Sequence, residues 1–224
     1  MIVDFIFDVA SPNTYFAHKL IPDFEKRTGA SFRYVPCLLG GIHKLTNNQP
    51  PFIAYANCKN KSDYQMIEIE RFVKQHKLTK YKFNSHFPPV TIQVQRGAIA
   101  AQKLNVFDEY FECVISAMWE NDKNISDINV LKEILEQKNF DVASIMDIAA
   151  SQNCKDELIK NTDYAVSRGA FGAPTSTGTF GASSGSGFGG FGTASSAAAF
   201  GGSKSTFGGF GAAPSSSGFG SFGA

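Results

Sequence analysis

The sequence predicts an α/β fold that opens as a strand–helix–strand unit, continues as a long all-helical block and ends in a tail of different chemistry. Three observations carry this. Val3, Phe5, Phe7 and Val9 alternate with mixed neighbours, the period of a strand with at least one buried face. From Ser62 to Ser167 apolar residues recur at helical spacing. Residues 176–224 hold 15 Gly, 12 Ser, 8 Phe and 8 Ala, with Lys204 their only charge and no Val, Ile, Leu or Met.

The first strand leads through Ser11-Pro12 into an amphipathic run from Thr14 to Arg27. Tyr15, Phe16, Leu20, Ile21 and Phe24 fall near helical spacing, Pro22 suggests a kink or break, and Gly29 suits a helix stop. Ser31 to Leu39 reads as a second strand, with Phe32, Tyr34, Pro36 and Leu38 on one side. Two strands joined through a helix form a βαβ unit, so they should be parallel. After Gly40-Gly41 the period changes. Ser62–His76, Thr91–Leu104, Asp108–Asn121, Asp127–Gln137, Asp141–Ser151 and Cys154–Ser167 all read as helices, with Asp127, Asp141 and Asn153 as caps. Asn153 with Asp156 resembles a capping box. Cys113 and Trp119 read as packing residues. The tail has too little aliphatic surface to offset the entropy of ordering glycine, so it reads as disordered.

Charge excludes several classes. Lys and Arg number 21 against 20 Asp and Glu, which argues against a basic face for nucleic acid and against an acidic tail. No run of 18 apolar residues exists, so no membrane-spanning helix is expected. Asp4 and Asp8 within the first apolar stretch do not suit a signal peptide. The cysteines, at 37, 58, 113 and 154, have neither zinc-ribbon nor redox spacing, and no metal is expected. Free thiols in a reducing compartment, the cytoplasm, are the simplest reading.

Two places carry candidate chemistry. Ser11 sits at the strand-to-helix turn with Pro12 near the first helical position. It reads either as an ordinary N-cap or as a hydroxyl beside unpaired backbone N–H groups, where an anion or a thiolate is favoured. No cysteine lies nearby, so any sulfur there belongs to another molecule. The second place is Gly169-Ala170-Phe171-Gly172-Ala173-Pro174-Thr175. It reads as a plain turn or, with Ala173-Pro174 cis, as a segment offering the Ala173 backbone to an extended peptide.

Four separated segments carry a resemblance: FIFDVASPNTYFAHKL at the start, LLGGIHKLTNNQPP at 38–51, NSHFPPVTIQVQRGAIAAQ at 84–102 and TDYAVSRGAFGAPT at 162–175. They resemble the 2-hydroxychromene-2-carboxylate isomerases and kappa-class glutathione transferases, in the DsbA-like branch of thioredoxin folds. The resemblance implies a DsbA-like thioredoxin domain over 1–175, with a helical insertion at about 45–165. It implies glutathione as cofactor. Ser11 takes the place of the redox cysteine and hydrogen-bonds the glutathione sulfur; without an attacking thiolate, disulfide exchange is not expected. Asn48, Lys61 (or Lys59), Ala173 and the cis-proline Pro174 are implied at the glutathione site. Locally, Asn48 also reads as a turn residue and Lys61 as a solvated lysine. His43 and Lys44 lie where the isomerases present a basic group to the substrate carboxylate, and His86 or Phe87 beside the same cleft, although for His86 a structural role suits the local sequence better than catalysis. The implied chemistry is reversible addition of a glutathione thiolate to a conjugated aromatic-catabolite acid, giving isomerisation. A kappa-like transferase is the alternative, and a homodimer is left open.

The chain departs from that family after Pro174. The family's next two antiparallel strands and last helix are expected to be missing, which would leave a two-stranded sheet, marginal by itself. In their place come eight Phe-Gly pairs, from Phe180 to Phe222. This tail resembles nucleoporin Phe-Gly repeats, which implies weak multivalent contacts and, as a further alternative, a non-catalytic interaction protein.

Overall fold

The computed structural model describes residues 1–178. Strand β1 (Ile2–Phe7), helix α1 (Pro12–Thr28) and strand β2 (Ser31–Pro36) form the expected βαβ unit. The two strands pair in parallel from Ile2 opposite Ser31 to Phe7 opposite Pro36. Helix α1 runs unbroken through Pro22 and stops at Gly29, whose φ of 69° lies in the left-handed region where a side chain is disfavoured.

The expectation of a two-stranded remnant is corrected. A third strand, β3 (Thr175–Gly178), pairs antiparallel with β1, Ile6 opposite Thr175 and Val3 opposite Gly178, and the sheet order is β2-β1-β3. Its sequence, Thr-Ser-Thr-Gly, has no apolar alternation to announce a strand. Its pairing comes from the backbone groups that β1 presents along its free side, a non-local cause. The strand also crosses the boundary expected at 175. The expected disorder and Phe-Gly contacts of residues 179–224 lie outside the described residues.

Between β2 and β3 lie helices α2 (Leu39–Leu45), α3 (Pro51–Ala54), α4 (Lys61–Gln75), α5 (Ile92–Lys103), α6 (Phe107–Trp119), α7 (Ile128–Glu136), α8 (Val142–Ala150) and α9 (Gln152–Ser167). β2 ends at Pro36, earlier than the expected Leu39, because α2 starts there. Gly40 and Gly41, after which the sequence period changes, lie inside α2. A Cβ on Gly41 would stand 2.9 Å from the Thr162 methyl, so glycine lets α2 lie close against α9. Asp127 and Asp141 cap α7 and α8 through the amides of Asn129 and Ser144. The cap of α9 is Ser151, not Asn153: its hydroxyl accepts from the Cys154 amide at 3.2 Å, and Asp156 accepts from the Gln152 side chain instead.

The central strand β1 is covered on both faces, which explains its nearly continuous apolar sequence. Phe5 and Phe7 face the main core, where Tyr34, Phe107 and Phe111 pack edge-on and tilted around Phe7. Ile6 faces a second cluster with Cys37, Ile42, Ala165 and Ala170. Helix α5 is buried along most of its length and packs on α6, α8 and α9. Its Gly97 meets the Tyr110 ring of α6 so closely that a Cβ there would lie 2.1 Å from the Tyr110 hydroxyl.

Candidate active site at the tip of the first helix

Ser11 is the N-cap of α1, with extended backbone (φ −90°, ψ 126°), and Pro12 opens the helix where its missing N–H costs nothing. Its side chain makes no cap hydrogen bond. The Ser11 N–H donates to the Asp8 carbonyl at 3.1 Å, and the Ser11 carbonyl accepts from the Thr14 N–H at 3.0 Å. The hydroxyl of a 6 % exposed serine therefore stands uncommitted at the positive end of a 17-residue helix.

The turn that holds Ser11 is built on a buried carboxyl. Asp8 accepts from the Ala10 N–H at 3.0 Å through one oxygen. Its other oxygen accepts from the Leu39 N–H at 2.8 Å and the Thr91 hydroxyl at 3.1 Å. One side chain thus ties the β1–α1 turn to the starts of α2 and α5. Burial pushes the Asp8 carboxyl above its ordinary range, opposed by these donors. Gln95 adds a second clamp: its amide donates to the carbonyls of Phe7 and Cys37, both at 2.8 Å, at the ends of β1 and β2. Trp119 donates its indole N–H to the Val9 carbonyl at 2.9 Å. Asp8, Thr91 and Gln95 escaped the sequence reading. The signal available was a carboxylate inside an apolar strand pattern, which asks for buried partners.

The second arm of the site is the loop from Gly169 to Pro174. Gly169 sits at φ 83°, again in the region that suits glycine, and the Ala173–Pro174 peptide is cis. The register of β3 brings Pro174 alongside the end of β1, close in sequence to the Asp8–Ser11 turn. Asn48 joins the same loop: its side-chain amide donates to the Phe171 carbonyl at 2.9 Å, and its backbone N–H donates to the His43 carbonyl at 2.9 Å. Ala173 and Pro174 are half-buried.

Of the remaining candidates, His43 meets this group through its backbone carbonyl, whereas Lys44, Lys59, Lys61 and His86 make no hydrogen bond to it among the described residues. Lys44 is exposed in the last turn of α2. His43, beside it, is buried, and burial lowers its pKa, which favours the neutral ring. Lys61 opens α4 with its ammonium 5.3 Å from the centre of the Tyr55 ring. Lys59 is exposed just before it. His86 is exposed, its backbone N–H donating to the Asn84 side chain at 2.7 Å. The adjoining Phe87 packs against Phe52 and Phe83, and its bond to Pro88 is also cis. All four cysteines are free, and Cys37 is buried with its thiol pushed well up by desolvation.

The DSBA-like thioredoxin domain family matches residues 2–190. Among curated proteins, the chain is 22% identical over 184 residues to glutathione S-transferase kappa 1 of Rattus norvegicus, covering 78% of this chain and 80% of that one. It is 25% identical over 174 residues to 2-hydroxychromene-2-carboxylate isomerase of Sphingobium xenophagum, covering 77% and 86%. Among solved structures, a 2-hydroxychromene-2-carboxylate isomerase superposes with a TM-score of 0.67 at 22% identity, over 79% of this chain and 85% of that one. Both curated relatives are enzymes. With the family matched across most of its length, this chain belongs to the DSBA-like thioredoxin domain family.

Proposed function

We propose that the protein is a glutathione-dependent isomerase of the 2-hydroxychromene-2-carboxylate type, working in the reducing cytoplasm. The observation that carries this reading is the uncommitted Ser11 hydroxyl at the N-terminus of α1, and it is supported by the cis Ala173–Pro174 loop that Asn48 bonds and that leads into β3 along β1. The polar groups present suit a small thiol peptide: a hydroxyl and a helix tip for the sulfur, the Asn48 amide and Ala173 backbone for the peptide, Lys61 and Lys44 for carboxylates. Bound glutathione supplies the sulfur nucleophile, which adds reversibly to a conjugated carbon of the acid. The protein contributes position and charge. An unassisted thiol with a pKa of about 8.5 is roughly 3 % ionised at pH 7, so a donor at Ser11 and the α1 dipole raise the reactive fraction. The Asp8 web fixes the turn from which Ser11 donates.

The test is direct. Millimolar glutathione should raise the melting temperature of the full chain in proportion to the logarithm of its concentration. The substitution Ser11→Ala should keep much of the binding and lift the pKa of the bound thiol. No thermal shift with glutathione, or an unchanged thiol titration in Ser11→Ala, rejects the reading. A transferase of the kappa type remains the second reading because the two curated relatives match at similar identity. Product analysis separates them: an isomerase returns its glutathione, whereas a transferase leaves it joined to the product.

A further inference from the structure

Thr14, at the third helical position of α1, is fully buried, and its Oγ1 has no hydrogen-bond partner. Several other threonines of the described chain are bonded, although the Thr177 hydroxyl in β3 is likewise without a partner. Thr28, Thr46 and Thr162 each donate to the carbonyl four residues earlier, at 2.8 Å. Thr91 donates to Asp8. A buried hydroxyl without a partner is destabilising, and a methyl group of similar size would avoid the cost. Such groups persist where function holds them.

Its position says what it serves. Side chains on a helix lean toward the N-terminus, and the third helical position is the neighbour of the N-cap. β-Branching leaves Thr14 few rotamers. One turn before it, Ser11 carries another uncommitted hydroxyl, and the Thr14 N–H donates to the Ser11 carbonyl at 3.0 Å, which sets the two residues together on the first turn of α1. We propose that Thr14 is a positioning residue for the sulfur seat: when an anionic sulfur arrives, the Thr14 hydroxyl donates to the Ser11 oxygen, leaving the Ser11 hydrogen aimed at the sulfur. This rests on the reading of Ser11 given above. Two hydroxyls in series polarise one another, so the second strengthens the first at the moment charge appears.

The two roles of Thr14 predict opposite signs. Thr14→Val removes the orphan hydroxyl and should raise the melting temperature of the free protein by about 2–4 °C. The same variant should raise the pKa of bound glutathione by about half to one unit, a loss of roughly 3–10-fold in thiolate at pH below that pKa. Thiolate ultraviolet absorbance during a pH titration reads this without turnover, and Thr14→Ser should restore the wild-type titration. A Thr14→Val protein that titrates like wild type, while Ser11→Ala is shifted, overturns the inference and leaves the sulfur seat standing. A wild-type titration in Ser11→Ala overturns both. A Thr14→Val protein that melts lower or fails to fold also overturns it, since the hydroxyl would then be structural.

Discussion

Removing the Asp8 carboxyl should cost more stability than any other polar change near the helix tip. Asp8→Ala leaves the Ala10 and Leu39 N–H groups and the Thr91 hydroxyl without their acceptor, in a place where the carboxyl is only 1% exposed. Each stranded donor costs about 1–3 kcal/mol. Against roughly 3–9 kcal/mol for the three stands the regained cost of burying the carboxyl, so the net loss should be about 3 kcal/mol. For a domain of this size that lowers the melting temperature by about 6–12 °C. Asp8→Asn keeps one oxygen acceptor but turns an amide donor toward the remaining N–H, and about half the loss should remain. Urea unfolding of the full chain, followed by far-ultraviolet circular dichroism, measures both. The reasoning fails if Asp8→Ala unfolds within about 1 kcal/mol of wild type, the margin of a single surface hydrogen bond.

Two further outcomes follow from the same structure. Gly97→Ala should gain about 1 kcal/mol of helix propensity yet lose about 2 kcal/mol net, because the new Cβ meets a buried Tyr110 whose hydroxyl is fixed on the Val94 carbonyl at 2.9 Å. Tyr110→Phe in that background should recover part of the loss; a stabilised Gly97→Ala protein would refute the packing argument. Acid should expose a different set of groups. The Glu112 pKa is lowered to about 2, first by its hydrogen bond to His18 and then by Lys19 and Ser116, and Asp4 is lowered by Arg33. Depressed carboxylates stabilise the fold above their unfolded values, and that share is lost as pH falls through the folded values. Asp8 has the opposite sign: its raised pKa favours the fold at low pH and loses that share as pH rises. The urea midpoint should therefore fall on acidification below pH 4.5, and Glu112→Gln should flatten that slope; an unchanged slope contradicts the assignment to Glu112.

The candidate site was legible in the sequence in part. Ser11 ahead of Pro12 marks a helix start by local chemistry, and the loop before Pro174 stands out through its glycines. Asn48 looked like a turn residue, and only the folded chain brings its amide to the Phe171 carbonyl. The burial of His43, which lowers its pKa, is likewise decided only by the folded chain. Thr14 carried no signal: a threonine one turn into a helix is unremarkable until its buried hydroxyl proves to have no partner.

The amino-acid order alone determined what depends on neighbours a few residues apart. The alternation of β1, the apolar stripes of α4 to α9 and the Asp127 and Asp141 caps are local, because pleat, helical period and cap bonds span at most a turn. Tertiary structure decided the rest. Strand β3 exists because β1 has a free side to pair with, Gly41 of α2 serves closeness to α9, and Ser151 displaced Asn153 through its reach to one amide. The partners of Asp8 lie 31 and 83 residues away. Whether a buried polar group is satisfied is set by what the folded chain brings beside it, and no window of sequence contains that.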